Sequence, residues 1–85
     1  MDELTKLPNI GKTLAFKLKE VGIETFEDLK TAGAENTFIK LATIDESACI
    51  NMLYALEGAI QDIRWHHLSP QRKLELLDFF HHCKS

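Results

Sequence analysis

The stretch Leu7-Pro8-Asn9-Ile10-Gly11-Lys12-Thr13-Leu14-Ala15 (LPNIGKTLA, residues 7–15) decides how this chain folds. Pro8 and Gly11 mark a tight turn, because proline cannot continue a helix and glycine is common where the backbone bends sharply. The pattern predicts a short helix over residues 2–6, a turn, and a second helix over residues 11–21. The second helix has apolar residues that recur at helical spacing, namely Leu14, Ala15, Leu18 and Val21.

Short helices joined by tight turns are also predicted for the next part of the chain. Gly22 is a candidate left-handed cap that ends the second helix. Thr25 and Asp28 have the spacing of a capping box, which opens a third helix that Gly33 closes. A fourth helix is predicted over residues 35–42, and its expected buried side chains are Phe38, Ile39 and Leu41.

The longest predicted helix covers residues 45–63. Asp45 is a good N-cap, and Ile44 and Cys49 match a hydrophobic staple around it. Apolar residues cover more than half of the helix circumference, so the helix should be central. Glycine inside a helix lowers helix stability by about 1 kcal/mol relative to alanine. Gly58 therefore indicates a packing requirement, and we expect another backbone to pack close to it. The main apolar stripe is Cys49, Met52, Leu53, Leu56, Ile60 and Ile63.

A last helix begins at Ser69 as N-cap and Pro70 as the first helical residue. Its expected packing side chains are Leu74, Leu76, Leu77, Phe79 and Phe80. No segment shows the alternation of a strand. The prediction is an all-α domain over residues 1–85, a small bundle of five or six short helices. Its most deeply buried residues should be Leu14, Leu18, Leu53, Leu56 and Ile60.

Length and composition restrict the possible functions. The 85 residues leave room for one domain, and 45% apolar residues are enough for a core without disulfides. No apolar run approaches the roughly 20 residues that cross a bilayer, and the N-terminus lacks a signal-peptide pattern, so a cytoplasmic location is expected. Ten basic residues against thirteen acidic ones give a net charge of −3. Strong electrostatic binding to nucleic acid is therefore not expected from the overall charge.

Cysteine and histidine residues do not indicate a metal site. Cys49 and Cys83 are expected to be reduced thiols, the first in the core and the second exposed. The adjacent histidine pairs at 66–67 and 81–82 would point about 100° apart on a helix, so neither pair readily chelates one ion. Trp65 is interpreted as a lid on the core.

The segment of about residues 2–22 resembles a helix-hairpin-helix motif, with the form Leu-Pro-x-apolar-Gly followed by a helix. Ile10 should pin the turn into the core, and Gly11 should allow a ligand to come close to the N-terminus of the second helix. The free N–H groups at the start of that helix form an anion site suited to one phosphate. Lys12 and Thr13 would add a positive charge and a hydroxyl to this site. Asn9 stands where many DNA-binding members have glycine, and asparagine tolerates positive φ. These five residues form the candidate nucleic-acid site.

A narrower resemblance covers residues 4 to about 80. The runs LPNIGKTLA, KLKEVGIETFEDLK and SACINMLYALEGAIQDIRWHHLS resemble the C-terminal domain of TfoX-like (Sxy-like) bacterial competence regulators, which also occurs as a small stand-alone protein. The resemblance implies a SAM-like arrangement of helices and a regulatory role related to DNA transformation. It supplies no catalytic residues.

Two classes of function remain open. One is a regulatory module that contacts the DNA phosphate backbone weakly, and the other is a protein-interaction module in which the hairpin is structural only. Phe16 lies off the apolar stripe of its helix, so it either packs within its own chain or anchors another protein or a second copy. An enzyme is not expected, because no Gly-rich phosphate loop, metal-ligand cluster or carboxylate pair in a pocket is recognisable. No cofactor, small-molecule substrate or membrane partner is expected.

Overall fold

A computed structural model describes residues 3–84 of the chain. Within this range the fold is entirely helical, which confirms the predicted class. It contains four α-helices, α1 (Lys12–Glu20), α2 (Phe26–Ala42), α3 (Ile50–Gln61) and α4 (Pro70–Lys84), and two 3-10 turns, Leu4–Lys6 and Trp65–His67. The predicted start of the first helix at Asp2 lies outside the described residues, and the rest of that prediction is a 3-10 turn.

The central position predicted for the long helix is confirmed. α3 packs against α2, against α4 and against the second 3-10 turn. Leu53 and Leu56 are fully buried on it, and Leu18 of α1 is fully buried as well. Leu14 and Ile60, which we also expected to be deeply buried, lie half-buried at the edge of the core.

α2 joins the two helices that were predicted on either side of Gly33. The backbone at Gly33 is non-helical, with φ of 81° and ψ of 164°, so two helical segments meet at a break there, at the residue predicted to close the third helix. An L-residue rarely adopts such a positive φ, which explains the glycine. The capping box is confirmed, because Asp28 N–H donates to Thr25 Oγ1 and Asp28 accepts from the Thr25 N–H. The described chain therefore has four α-helices instead of the five or six expected.

The start of α3 differs from the prediction. The helix begins at Ile50 with Cys49 as N-cap, and Asp45 caps a separate turn by accepting a hydrogen bond from the Ser47 N–H at 2.9 Å. Aspartate is common both at helix N-caps and in tight turns, because its side chain accepts hydrogen bonds from backbone N–H groups in either place. The turn precedes α3, and both Cys49 and Ile44 are exposed instead of packed in the core. The staple predicted around an N-cap at Asp45 does not apply, because Cys49 is itself the N-cap. Cys83 is exposed as predicted.

Two predicted core residues point outward. Ile39 of α2 is 46% exposed and Leu74 of α4 is 66% exposed. Each lies one or two residues from a buried neighbour, Phe38 or Leu76, and successive helical residues diverge by about 100°. The predicted N-cap of α4 is confirmed, because the Arg72 N–H donates to Ser69 Oγ at 3.1 Å.

Candidate nucleic-acid interface

The turn between the first 3-10 turn and α1 is anchored at both ends. Leu4 is fully buried on one side, and Ile10 is only 4% exposed on the other. The N–H groups of Leu7 and Ile10 bond the carbonyls of Leu4 and Leu7, at 3.0 and 3.4 Å. The expectation that Ile10 pins the turn into the core is therefore confirmed.

Asn9 has the positive φ expected at its position, 71°. Its side chain turns inward: Nδ2 donates to the carbonyl of Ile63 at 3.0 Å and to that of Ala55 at 3.5 Å. Its Oδ1 accepts from the Trp65 N–H at 3.2 Å. We call these three hydrogen bonds the Asn9 clamp. They join both polar atoms of the side chain to the middle of α3, at Ala55, and to the chain that follows α3.

The start of α1 is exposed and carries no side-chain cap. Gly11 is its N-cap, in extended backbone with φ of −91° and ψ of −177°. Lys12 and Thr13 are exposed, and the first turn of α1 contains no acidic residue. The first N–H groups of a helix have no intrahelical partner and lie at the positive end of its dipole. Three of the predicted site residues, Gly11, Lys12 and Thr13, are thus available to an anion.

An open cleft of about 520 Å³ lies beside this helix start. Two of its lining residues are cationic, Lys6 from the first 3-10 turn and Arg64 from the connection between α3 and α4. None of the described residues that line it is acidic. The full lining is Thr5, Lys6, Leu7, Pro8, Asn9, Ile10, Gly11 and Arg64.

Sequence reasoning missed Lys6 and Arg64. Arg64 is far from the turn along the chain, and a basic residue in a connection is ordinarily solvated surface. Gly58 was the sequence feature that pointed to this region, because it predicted that a backbone packs close to α3. The structure shows what packs there: the Asn9 amide and the backbone of Ile63 and Trp65.

Phe16 projects from α1 with 65% of its surface exposed. The alternative in which its own chain covers it is therefore not realised. The neighbouring Lys17 reaches away from α1, since its Nζ lies 2.5 Å from Oδ2 of Asp45. Phe16 thus remains a candidate protein contact, separate from the cleft.

Trp65 packs on the edge of the core, as its interpretation as a lid requires. Its ring stacks on Tyr54, with centroids 5.7 Å apart, and on His66, at 4.0 Å. Among residues 3–84 no three His, Cys, Asp or Glu side chains are grouped as a metal site would need. None of the described helices combines the length and apolar character that a bilayer span requires.

The fold and the sequence together define the class of protein. The chain belongs to the TfoX C-terminal domain family, whose match extends over residues 1–80. No curated protein matches the chain.

Two crystal structures are similar to this chain. An uncharacterized protein from Listeria monocytogenes, in a triclinic form, has 44% identity and a TM-score of 0.94, with 96% of this chain and 93% of that chain covered. A protein of unknown function from Listeria monocytogenes, in a tetragonal form, has 45% identity and a TM-score of 0.91, with 94% of this chain and 98% of that chain covered.

Proposed function

We propose that this chain is a regulatory module related to DNA transformation that contacts the DNA backbone weakly through a helix-hairpin-helix element, residues 4–20. The exposed, uncapped start of α1 carries the proposal, because it presents free N–H groups, Lys12 and Thr13 without a nearby acidic residue in the turn. Family membership supports the regulatory role. The proposal includes a cytoplasmic location and no enzymatic step.

The chemistry favours phosphate over base contacts. Backbone N–H groups and a helix dipole suit one phosphate, and Lys12 is long enough to meet another. No arginine or glutamine lies beside Lys12 on α1 to pair with a base edge, and both polar atoms of the Asn9 amide are already hydrogen-bonded within the chain. The module should therefore bind duplexes of different sequence alike.

The net charge of −3 limits the affinity. With about two or three phosphates neutralised, the slope of log affinity against log salt should be about −2 to −3. Dissociation constants should lie in the non-specific range of about 10⁻⁴ to 10⁻⁶ M at physiological salt, or be weaker.

Fluorescence anisotropy with short duplexes at low salt tests the proposal. Lys12→Glu should abolish binding, whereas Lys40→Glu, the same charge change at the exposed end of α2, should reduce it only slightly. Both substitutions should change stability by a few tenths of a kcal/mol at most, roughly what exposed charges near helix ends contribute. Equal binding by Lys12→Glu and the parent would remove the helix start as the site.

A second candidate function is a protein-interaction module with a purely structural hairpin. Phe16 favours it, because an exposed aromatic ring on a helix is a common anchor at protein interfaces. The Asn9 clamp also gives the hairpin a structural role that needs no DNA. Absence of duplex binding by the parent protein at low salt would favour this second function.

A further inference from the structure

We infer that Arg64 and Lys6 form a second phosphate contact across the cleft, and that Asn9 is a positioning residue for Arg64 and does not contact DNA itself. The inference rests on the proposed function for the identity of its ligand, a phosphodiester of the DNA backbone. Its site is nevertheless different from the start of α1, because it joins the first 3-10 turn to the connection between α3 and α4.

The Asn9 clamp holds the backbone on both sides of Arg64. Asn9 Nδ2 donates to the carbonyl of Ile63, the residue before Arg64, and Oδ1 accepts from the N–H of Trp65, the residue after it. Both peptide groups that flank Arg64 are thereby tied to the turn at distances of 3.0 and 3.2 Å. Arg64 is itself exposed and lines the cleft. The clamp thus fixes the backbone from which the guanidinium extends.

The charge pattern distinguishes these cations from the structural ones. Arg72 is paired with Glu57 and Glu35 at 2.9 and 3.0 Å, and Lys17 is paired with Asp45. Within residues 3–84, neither Lys6 nor Arg64 forms an ion pair, although both line the same cleft. Among the described residues these two cations have no ion-pair partner and the cleft has no acidic lining residue, so the pair attracts an anion. The planar guanidinium binds phosphate oxygens in pairs.

The shape of the cleft favours a backbone phosphate over an enclosed small molecule. It is open to solvent and is lined largely by the turn itself, so an extended polyanion can pass across it. A duplex that places one phosphate at the start of α1 would place neighbouring phosphates beside it, within reach of long cationic side chains.

The first test compares charge-neutral substitutions in duplex binding. Arg64→Gln and Lys6→Gln should each weaken binding about tenfold at about 50 mM salt and make the salt slope shallower by about 0.9. Lys40→Gln, with the same loss of charge on α2, should leave the slope within error of the parent value. If Arg64→Gln and Lys6→Gln behave like Lys40→Gln while Lys12→Glu abolishes binding, the inference is wrong and the proposed function stands.

The second test addresses the role of Asn9. Asn9→Gly removes the clamp while keeping a residue that tolerates a φ of 71°. It should weaken binding as Arg64→Gln does, and the Asn9→Gly/Arg64→Gln double variant should bind like Arg64→Gln alone, because Asn9 acts through Arg64. A glycine at position 9 would also let the DNA backbone come closer to the turn. If folded Asn9→Gly binds duplexes more tightly than the parent, Asn9 does not position Arg64.

The third test does not depend on DNA. Inorganic pyrophosphate is titrated while the Arg64 Nε–H and Gly11 N–H resonances are followed by NMR. A saturable shift at Arg64 that Lys6→Gln weakens shows that the two cations bind phosphate together. If no duplex binds, this anion site stands, and its assignment to DNA fails together with the proposed function. A shift confined to Gly11, or no shift at either residue, rejects the contact.

Discussion

The side-chain amide of Asn9 occupies the space that a β-carbon on Gly58 would need. A β-carbon built at Gly58 lies 2.5 Å from Asn9 Nδ2 and 2.8 Å from the carbonyl oxygen of Ile63. The glycine inside the central helix therefore allows the turn near the N-terminus to dock on the end of α3. Docking brings Lys6 and Arg64 to one cleft.

Gly58→Ala should destabilise the fold by about 1 to 3 kcal/mol, although alanine normally gains about 1 kcal/mol over glycine in a helix. The added β-carbon meets backbone that cannot turn aside, so the Asn9 clamp must open. Urea unfolding measures the change. Gly11→Ala is the control, because nothing lies within 4 Å of its added β-carbon and its φ is negative. Equal stability of Gly58→Ala and the parent would show that the clamp is not closed in solution.

Leu56→Ala should lower the free energy of unfolding by about 2 to 5 kcal/mol, because Leu56 is fully buried and its truncation leaves a cavity that the core cannot fully fill. Leu74→Ala removes the same atoms from a side chain that is 66% exposed, so it should change the free energy of unfolding by no more than about 0.5 kcal/mol. Chemical denaturation of both variants measures the difference. Similar costs for the two would contradict a central α3.

Local signals in the sequence were enough for much of the fold. The capping box at Thr25 and the N-cap at Ser69 are interactions between residues three apart, so the spacing alone reveals them. The broad apolar stripe of α3 likewise predicts a helix covered on several sides. The error at Asp45 arose because aspartate caps helices and tight turns alike. In the structure Asp45 accepts from the Ser47 N–H of a turn and from Lys17 of α1.

The candidate site was only partly predictable from the sequence. The candidate residues 9–13 could be proposed from the sequence because turn, glycine and helix start follow one another along the chain. The Asn9 clamp and Arg64 were missed, since the hydrogen bonds of Asn9 connect residues more than 40 positions apart. An asparagine with positive φ looks like an ordinary turn residue until its partners are known.

Arg72→Met should destabilise the fold by about 1 to 3 kcal/mol, because it leaves the carboxylate of Glu57, which is only 8% exposed, without its cation. The same guanidinium donates to Glu35 and lowers the pKa of that carboxyl. Adding Glu57→Gln to Arg72→Met should recover part of the loss, since a neutral amide tolerates burial better. Thermal unfolding tests both, with Arg64→Met as the control at an exposed arginine that forms no ion pair with the residues the structure describes. If Arg64→Met destabilises the fold as much as Arg72→Met does, the ion pairs of Arg72 do not stabilise the bundle.

Stability should fall in acid through Asp45. Hydrogen bonds from Lys17 and then from Ser47 lower the pKa of Asp45 from 3.8 to about 2. Because the folded pKa is below the unfolded one, the contribution is present above about pH 4 and is lost as the pH falls towards about 2. Asp45→Asn should therefore show a smaller loss of stability than the parent between about pH 5 and pH 2 in urea unfolding. A parallel pH profile for parent and variant would contradict the pairing, and Lys17→Met should raise the Asp45 pKa measured by NMR.

Phe16 makes self-association testable apart from DNA binding. A phenylalanine that is 65% exposed on α1 can bury apolar surface against a second copy, and pairs of copies commonly associate through the same patch on each. Sedimentation equilibrium across a range of concentrations should show a mass that rises with concentration for the parent, and Phe16→Ser should remain monomeric. Leu74→Ser is the matched control, because Leu74 is equally exposed but lies on α4. A parent that stays monomeric at every concentration rejects self-association, and loss of association in Leu74→Ser alone would move the contact from α1 to α4.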